Sequence, residues 1–175
     1  MKAAEPDPAA LERALRLLAA GRLALLLAVL GTLVMAAAPF LGAGEALMSN
    51  YIPVLQHPLF LAGLLLFAAG TGVLVLRAMG AIPPVGQWMQ GAAALRFGLN
   101  TAAVSTMLAL IAFAWSYFAV PAALAGKPYY ELLFWGGGHV LQFTYTLLML
   151  VSWLWLASES RVRLALSPRV ALIFF

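Results

Sequence analysis

Four stretches of this chain are each long and apolar enough to cross a bilayer, and that limits every other reading of it. A crossing helix needs roughly 20 mostly apolar residues, because the hydrocarbon core is about 30 Å thick. The stretches run at about residues 23–41, 58–76, 99–120 and 131–157, and a fifth apolar run opens at 170–175. Of the 175 residues, 65% are hydrophobic and 9% charged, whereas a soluble domain is about 45–50% apolar and about 25% charged. The expected fold is therefore an all-α integral membrane protein. It has four transmembrane helices plus the start of a fifth, as part of a larger helical bundle. The fifth run is six residues long, "VALIFF", so the expectation is a piece of a longer membrane protein. We see no internal repeat among the four spans.

Residues 1–22 form a separate lead-in. In "ALERALRLLAAGR", Leu11, Leu15 and Leu18 share one helical face, away from Glu12, Arg13 and Arg16. That pattern predicts an interfacial amphipathic helix. The acidic "EPDP" start and the lack of a small-residue cleavage site argue against a cleaved signal peptide. Residues 23–175 are the transmembrane domain.

The basic residues orient the chain. Lys2, Arg13, Arg16 and Arg22 precede the first span, Arg77 and Arg96 lie between the second and third, and Arg161, Arg163 and Arg169 follow the fourth. The other two connections carry only Lys127. By the positive-inside rule the N-terminus is cytoplasmic, in a bacterial-type inner membrane. The cytoplasmic loop "GAIPPVGQWMQGAAALRFG" offers Trp88 as an interface anchor. The basic balance thus reports topology, and nucleic acid is not an expected partner.

The chain has no cysteine and two histidines, His57 and His139. Disulfides, thiolate metal sites, iron–sulfur clusters and c-type haem attachment are thereby excluded within these residues. His57 precedes Pro58, which favours the first turn of a helix, so His57 belongs at the outer start of the second span. His139 falls about eight residues into the fourth, roughly 12 Å below its outer end. His57 reads as an interfacial histidine or a ligand. An ionisable residue within a span is functional by default, and the structural alternative for His139 is a hydrogen bond to a neighbouring helix. Gly136, Gly137 and Gly138 stand directly before it. Such glycines admit either another helix or a flat macrocycle. Gln142, Thr144 and Thr146 are expected to bond neighbouring helices. The nearby aromatic residues Phe134, Trp135, Phe143, Tyr145, Trp153 and Trp155 fit a haem-facing wall or ordinary packing and interface belts.

Trp135-Gly136-Gly137-Gly138-His139 has the form Trp-x-x-Gly-His, and it resembles the copper-ligand helix of the haem-copper oxidase and nitric-oxide reductase catalytic subunits. "IPVLQHPLFLAGLLLFAAGTGVLVLR" is similar to that family's second helix, where an outer-end histidine ligates the low-spin haem and a basic residue closes the cytoplasmic end. His57 and Arg77 match those places. The resemblance covers the second and fourth spans. It departs from the family in that the copper helix there is the sixth. The position four residues after His139 is Phe143, where conventional oxidases carry tyrosine; this is closer to the cbb class or the reductases.

The resemblance implies a haem-binding membrane oxidoreductase that reduces dioxygen in the respiratory chain. His57 would ligate the iron of a haem b. His139 would ligate copper, or non-haem iron in a reductase, with Gly138 and Trp135 at the cofactor site. The implied partners are the lipid bilayer, the remaining helices or other oxidase subunits, and an outer-side electron donor such as cytochrome c. The family's other ligands, a His-His pair and later axial histidines, are absent from these residues, which alone are insufficient for the reaction. Two alternatives stand beside this reading. One is a non-catalytic multi-span protein, a transporter piece or assembly subunit. The other is a small membrane cytochrome b with both histidines on one haem.

Overall fold

The computed structural model describes residues 7–42, 44–81, 93–160 and Val170. Six elements follow in order: α1 (Pro8–Leu41), β1 (Ala46–Leu47), β2 (Val54–Leu55), α2 (Pro58–Ala81), α3 (Ala93–Ala119) and α4 (Gly126–Glu159). All four helices are long and apolar enough to cross a membrane, in agreement with the four expected spans. β1 and β2 pair as a minimal two-strand ladder. Trp88, the loop around it, Lys2, Arg161, Arg163 and Arg169 lie outside the described residues, as does the fifth apolar run apart from Val170.

The chain divides into two compact units. The first joins α1 and α2. Asp7 caps α1, its side chain accepting from the Ala9 N–H at 3.1 Å, with Pro8 in the first turn. The lead-in and the first span are continuous: α1 runs unbroken for 34 residues. At about 1.5 Å per residue that is about 50 Å, so its charged first turns extend past a hydrocarbon core about 30 Å thick. A single Gly21 weakens a helix by only about 1 kcal/mol, too little to end one flanked by Ala, Leu and Arg.

α1 and α2 run antiparallel and meet through small residues. Ala24, Gly31 and Ala38 are the buried positions of α1 and recur at every seventh residue. Gly63 and Gly70 are buried in α2 at the same spacing. A Cβ at Gly31 would stand 2.5 Å from the Phe67 nitrogen and 2.6 Å from the Gly63 carbonyl oxygen. Backbones in contact at this distance leave no room for any side chain. The large residues point outward instead: Leu33, Leu65, Phe40 and Leu76 are exposed. Small residues inside and large apolar residues outside is the arrangement of helices solvated by lipid. At one end Arg77 Nε donates to the Leu17 carbonyl at 2.7 Å and Arg13 donates to the Gly80 carbonyl at 3.0 Å. Each helix thus lends an arginine to the other's backbone.

The second unit holds residues 46–54, α3 and α4. α3 starts at Ala93, ahead of the expected start near Leu99, so Arg96 is helical rather than in a loop. Hydropathy marks where the hydrocarbon ends. The helix continues because Ala, Leu and Arg are strong helix formers. α4 likewise begins at Gly126, ahead of Glu131. The α3–α4 seam carries hydroxyls. Ser105 donates to the Val140 carbonyl at 3.3 Å, and Thr144 donates to Ser105 at 3.1 Å. Thr106 donates to the Ala102 carbonyl at 2.7 Å and lies 3.4 Å from the Thr144 hydroxyl. Thr144 therefore bonds the neighbouring helix as expected, whereas Thr146 bonds its own helix at the Gln142 carbonyl.

Candidate functional site

The glycine run on α4 resolves into three different positions. A Cβ at Gly137 would collide with ring carbons of Phe113 on α3, and one at Gly138 would collide with the ring of Tyr51. Gly136 faces open space, with only the Ser116 hydroxyl at 3.9 Å. Two of the glycines are thus notches, each filled by an aromatic ring of the same unit. Phe113 continues into an aromatic stack: it meets Phe134 edge-on at 5.9 Å, and Phe134 stacks on Tyr130 at 6.1 Å. Any flat group placed over Gly138 would have to displace Tyr51.

His139 is held by two partners. Its Nδ1 lies 2.8 Å from the Trp135 carbonyl oxygen, one turn back on α4. A carbonyl can only accept, so Nδ1 carries a proton and, in the neutral ring, Nε2 keeps the lone pair. The Tyr51 hydroxyl oxygen is 2.7 Å from Nδ1 and 3.1 Å from Nε2. One oxygen this near to both ring nitrogens lies over the imidazole, out of line with the Nε2 lone pair. The Trp135 indole lies against the imidazole with centroids 4.4 Å apart, and Trp135 itself is 58% exposed. His139 is exposed on the surface of its unit, roughly 20 Å along α4 at about 1.5 Å per residue.

Tyr51 was not among the expected site residues. It belongs to the Ser49–Pro53 turn ahead of β2, organised by the Ser49 hydroxyl donating to the Ile52 carbonyl at 2.6 Å. Tyr51 and His139 are 88 residues apart. No periodic pattern joins them, and an unpartnered imidazole was the only signal that some partner existed.

His57 lies in the first unit and acts there as the cap of α2. The Leu59 N–H donates to its Nδ1 at 3.2 Å, and the Leu61 N–H donates to its carbonyl at 3.1 Å. With Nδ1 accepting, the neutral ring carries its proton on Nε2. That atom faces Gly42, where a Cβ would come within 2.6 Å. Iron ligation through Nε2 requires this ring to shift its proton and release Leu59. Among the described residues, no three His, Asp or Glu side chains gather as a metal cluster. Lys127, the expected outer-side cation, stands 3.6 Å from Glu131 on the same helix.

The fold and these contacts define a multi-pass helical membrane protein with one hydrogen-bonded imidazole on a spanning helix. The chain is similar to an uncharacterized protein of Rickettsia prowazekii (strain Madrid E), 34% identical over 142 residues, which is 78% of this chain and 27% of that protein. It is also 32% identical over 127 residues to an uncharacterized protein of Aquifex aeolicus (strain VF5), covering 73% of this chain and 32% of that protein. The chain therefore spans about a quarter to a third of the curated relatives it matches. No family model and no solved structure matches it.

Proposed function

We propose that this chain is part of a haem-binding membrane oxidoreductase of the haem-copper type, in a bacterial-type inner membrane with its N-terminus cytoplasmic. In this reading His139 is a copper ligand, and His57 is an axial ligand of a low-spin haem b. The reaction is reduction of dioxygen by electrons from an outer-side donor such as cytochrome c.

The observation that carries the reading is the hydrogen bond from His139 Nδ1 to the Trp135 carbonyl at 2.8 Å. Ligating histidines are held this way, one ring N–H on a backbone carbonyl and the other nitrogen aimed at the metal. The backbone carbonyl one turn back thus sets the histidine's tautomer. Neutral imidazole suits copper and haem iron alike. The residues fit one copper ligand, and the remaining ligands would come from outside the described residues. His57 fits iron only after giving up its cap on Leu59. Bound together, the metals would pass on the donor's electrons and offer the coordination site for dioxygen. This chain's own residues would hold one imidazole for each. The greater length of the relatives supports a larger protein with room for further ligands.

A second reading has its own observation. Tyr51 already covers His139, as a structural histidine in a non-catalytic membrane protein would be covered. The two separate in membranes expressing the complete reading frame, by a reduced-minus-oxidised visible spectrum together with metal analysis. The oxidase reading expects haem b and copper, with copper lost in His139→Ala while haem remains. Membranes that carry neither group overturn it in favour of the second.

A further inference from the structure

We propose that Arg77 holds the phosphate of an anionic phospholipid at the arginine-bearing end of the α1–α2 pair. The contact involves neither histidine and is independent of haem and copper.

The arginines at this end differ in depth. The apolar span of α1 begins at about Leu23, and the headgroup layer outside a hydrocarbon core is roughly 5–8 Å thick. At about 1.5 Å per residue, Gly21 and Leu17 lie roughly 3 Å and 9 Å outside the core. Arg77 reaches across from α2 to this level. Its Nε donates to the Leu17 carbonyl at 2.7 Å, and a Cβ at Gly21 would stand 3.0 Å from Nε and 3.3 Å from Cζ. The guanidinium thus lies over a glycine, at the depth of the lipid phosphates. Arg13, which bonds the Gly80 carbonyl, is about 15 Å out and beyond that layer. Arg16 is about 10 Å out and pairs with Glu12. Arg22 stands at the core edge, but it is about 160° round the helix from the buried Ala24 and so points away from α2.

Anchoring Arg77 leaves a fork open. Nε is spent on Leu17, while the two terminal nitrogens make no bond among the described residues and are not shut away from solvent. A guanidinium presents its donors as a planar fork that matches phosphate oxygens, and one already pinned has less freedom to lose on binding. No carboxylate competes for it among the described residues of this unit. Glu12 pairs with Arg16, Asp7 caps α1, and Glu45 follows the far end of α1. Positive charge without an acidic neighbour favours an anionic headgroup over a zwitterionic one.

The test titrates the complete protein in detergent with phosphatidylglycerol, and separately with phosphatidylcholine of the same acyl chains, and counts bound lipid by native mass spectrometry. The parent should bind phosphatidylglycerol several-fold more tightly than phosphatidylcholine. Arg77→Gln should weaken phosphatidylglycerol roughly tenfold, the loss of one charge-assisted contact expressed as affinity. Arg13→Gln and Arg22→Gln remove the same charge from the same end and should stay close to the parent. Equal losses in all three variants, or no difference between the two lipids in the parent, overturn the site. The rise in thermal midpoint on adding phosphatidylglycerol is read against each protein's own baseline, so a destabilised Arg77→Gln still reports binding. Arg77→Lys covers a glutamine variant that fails to fold, because lysine keeps the charge and can still donate to the Leu17 carbonyl. Its ammonium is a point charge without the fork, so its affinity should fall between those of the parent and Arg77→Gln. Affinity equal to the parent's overturns the fork. Displacement of the lipid by an equal concentration of inorganic phosphate would make this a site for the free anion and overturn the lipid.

Discussion

At the scale of single residues, three adjacent glycines do three different things. Gly137 and Gly138 receive the rings of Phe113 and Tyr51, while Gly136 receives nothing. Alanine at 137 or 138 must push an aromatic ring out of a seated position. Overpacking of this kind costs typically about 1–3 kcal/mol. Alanine at 136 meets only a hydroxyl at van der Waals distance and gains helix propensity, up to about 1 kcal/mol. Thermal denaturation in detergent should therefore lower the midpoint for Gly137→Ala and leave it unchanged or raised for Gly136→Ala. Equal losses at both positions would mean that the run is valued for backbone flexibility rather than for the notches. His57 permits a comparable separation of roles. Asparagine is a good helix cap and cannot hold haem iron as imidazole does. His57→Asn should keep the stability of the parent while removing low-spin haem from the spectrum of the complete protein. A spectrum that survives the change denies His57 the axial role.

At the scale of elements, the α1–α2 pair is built on a seam of small residues in which backbone touches backbone. Gly31→Ala places a methyl 2.5 Å from the Phe67 nitrogen, and Gly63→Ala places one 2.8 Å from the Gly31 carbonyl oxygen. Neither neighbour is a side chain that can swing away, so the helices must separate. Each substitution should destabilise the pair by about 1–3 kcal/mol, measured by the same denaturation. Ala28→Val on α1 is not an equivalent control, because Ala28 itself faces Gly70. Leu33→Val is suitable, at a position that is exposed, and should change little.

The seam also shows what was legible beforehand. The existence of four helices follows from hydropathy, because lipid demands a run of apolar residues whatever the packing. Their ends do not, since charge stops a hydropathy window without stopping a helix, and α1, α3 and α4 each begin on the polar side of the expected span. The seam at Ala24, Gly31, Ala38, Gly63 and Gly70 has a period of seven, yet alanine and glycine also stand at many other positions of these spans, so the period does not stand out. The glycine–histidine run stood out as a special place because its cost in a helix is unusual. Which ring fills which notch depends on Phe113 and Tyr51, residues distant in sequence.

For the molecule as a whole, the remaining question with a direct answer is its direction across the membrane. The charges divide sharply. Arg13, Arg16, Arg22, Arg77 and Arg96 belong to the connections assigned to the cytoplasm, and Lys127 alone to the opposite side. The structure gives these charges further duties that bear on how strongly they can vote. Arg13 and Arg77 bond backbone carbonyls of the partner helix, and Arg16 pairs with Glu12 at 2.6 Å. None of these bonds removes positive charge from that end of the pair, and the positive-inside bias counts Lys and Arg with little weight for acidic residues. The proposed orientation, with the N-terminus cytoplasmic, therefore still counts each of these arginines. Because the chain contains no cysteine, single introduced thiols report on it without background. Asn50→Cys, in the turn between α1 and α2, should react with a membrane-impermeant maleimide added to intact spheroplasts. Asp7→Cys, at the cap of α1, should react only after lysis. Labelling in the opposite order would invert the protein. It would then place the α1–α2 turn, with Tyr51, on the cytoplasmic side, where an outer-side electron donor could not reach it.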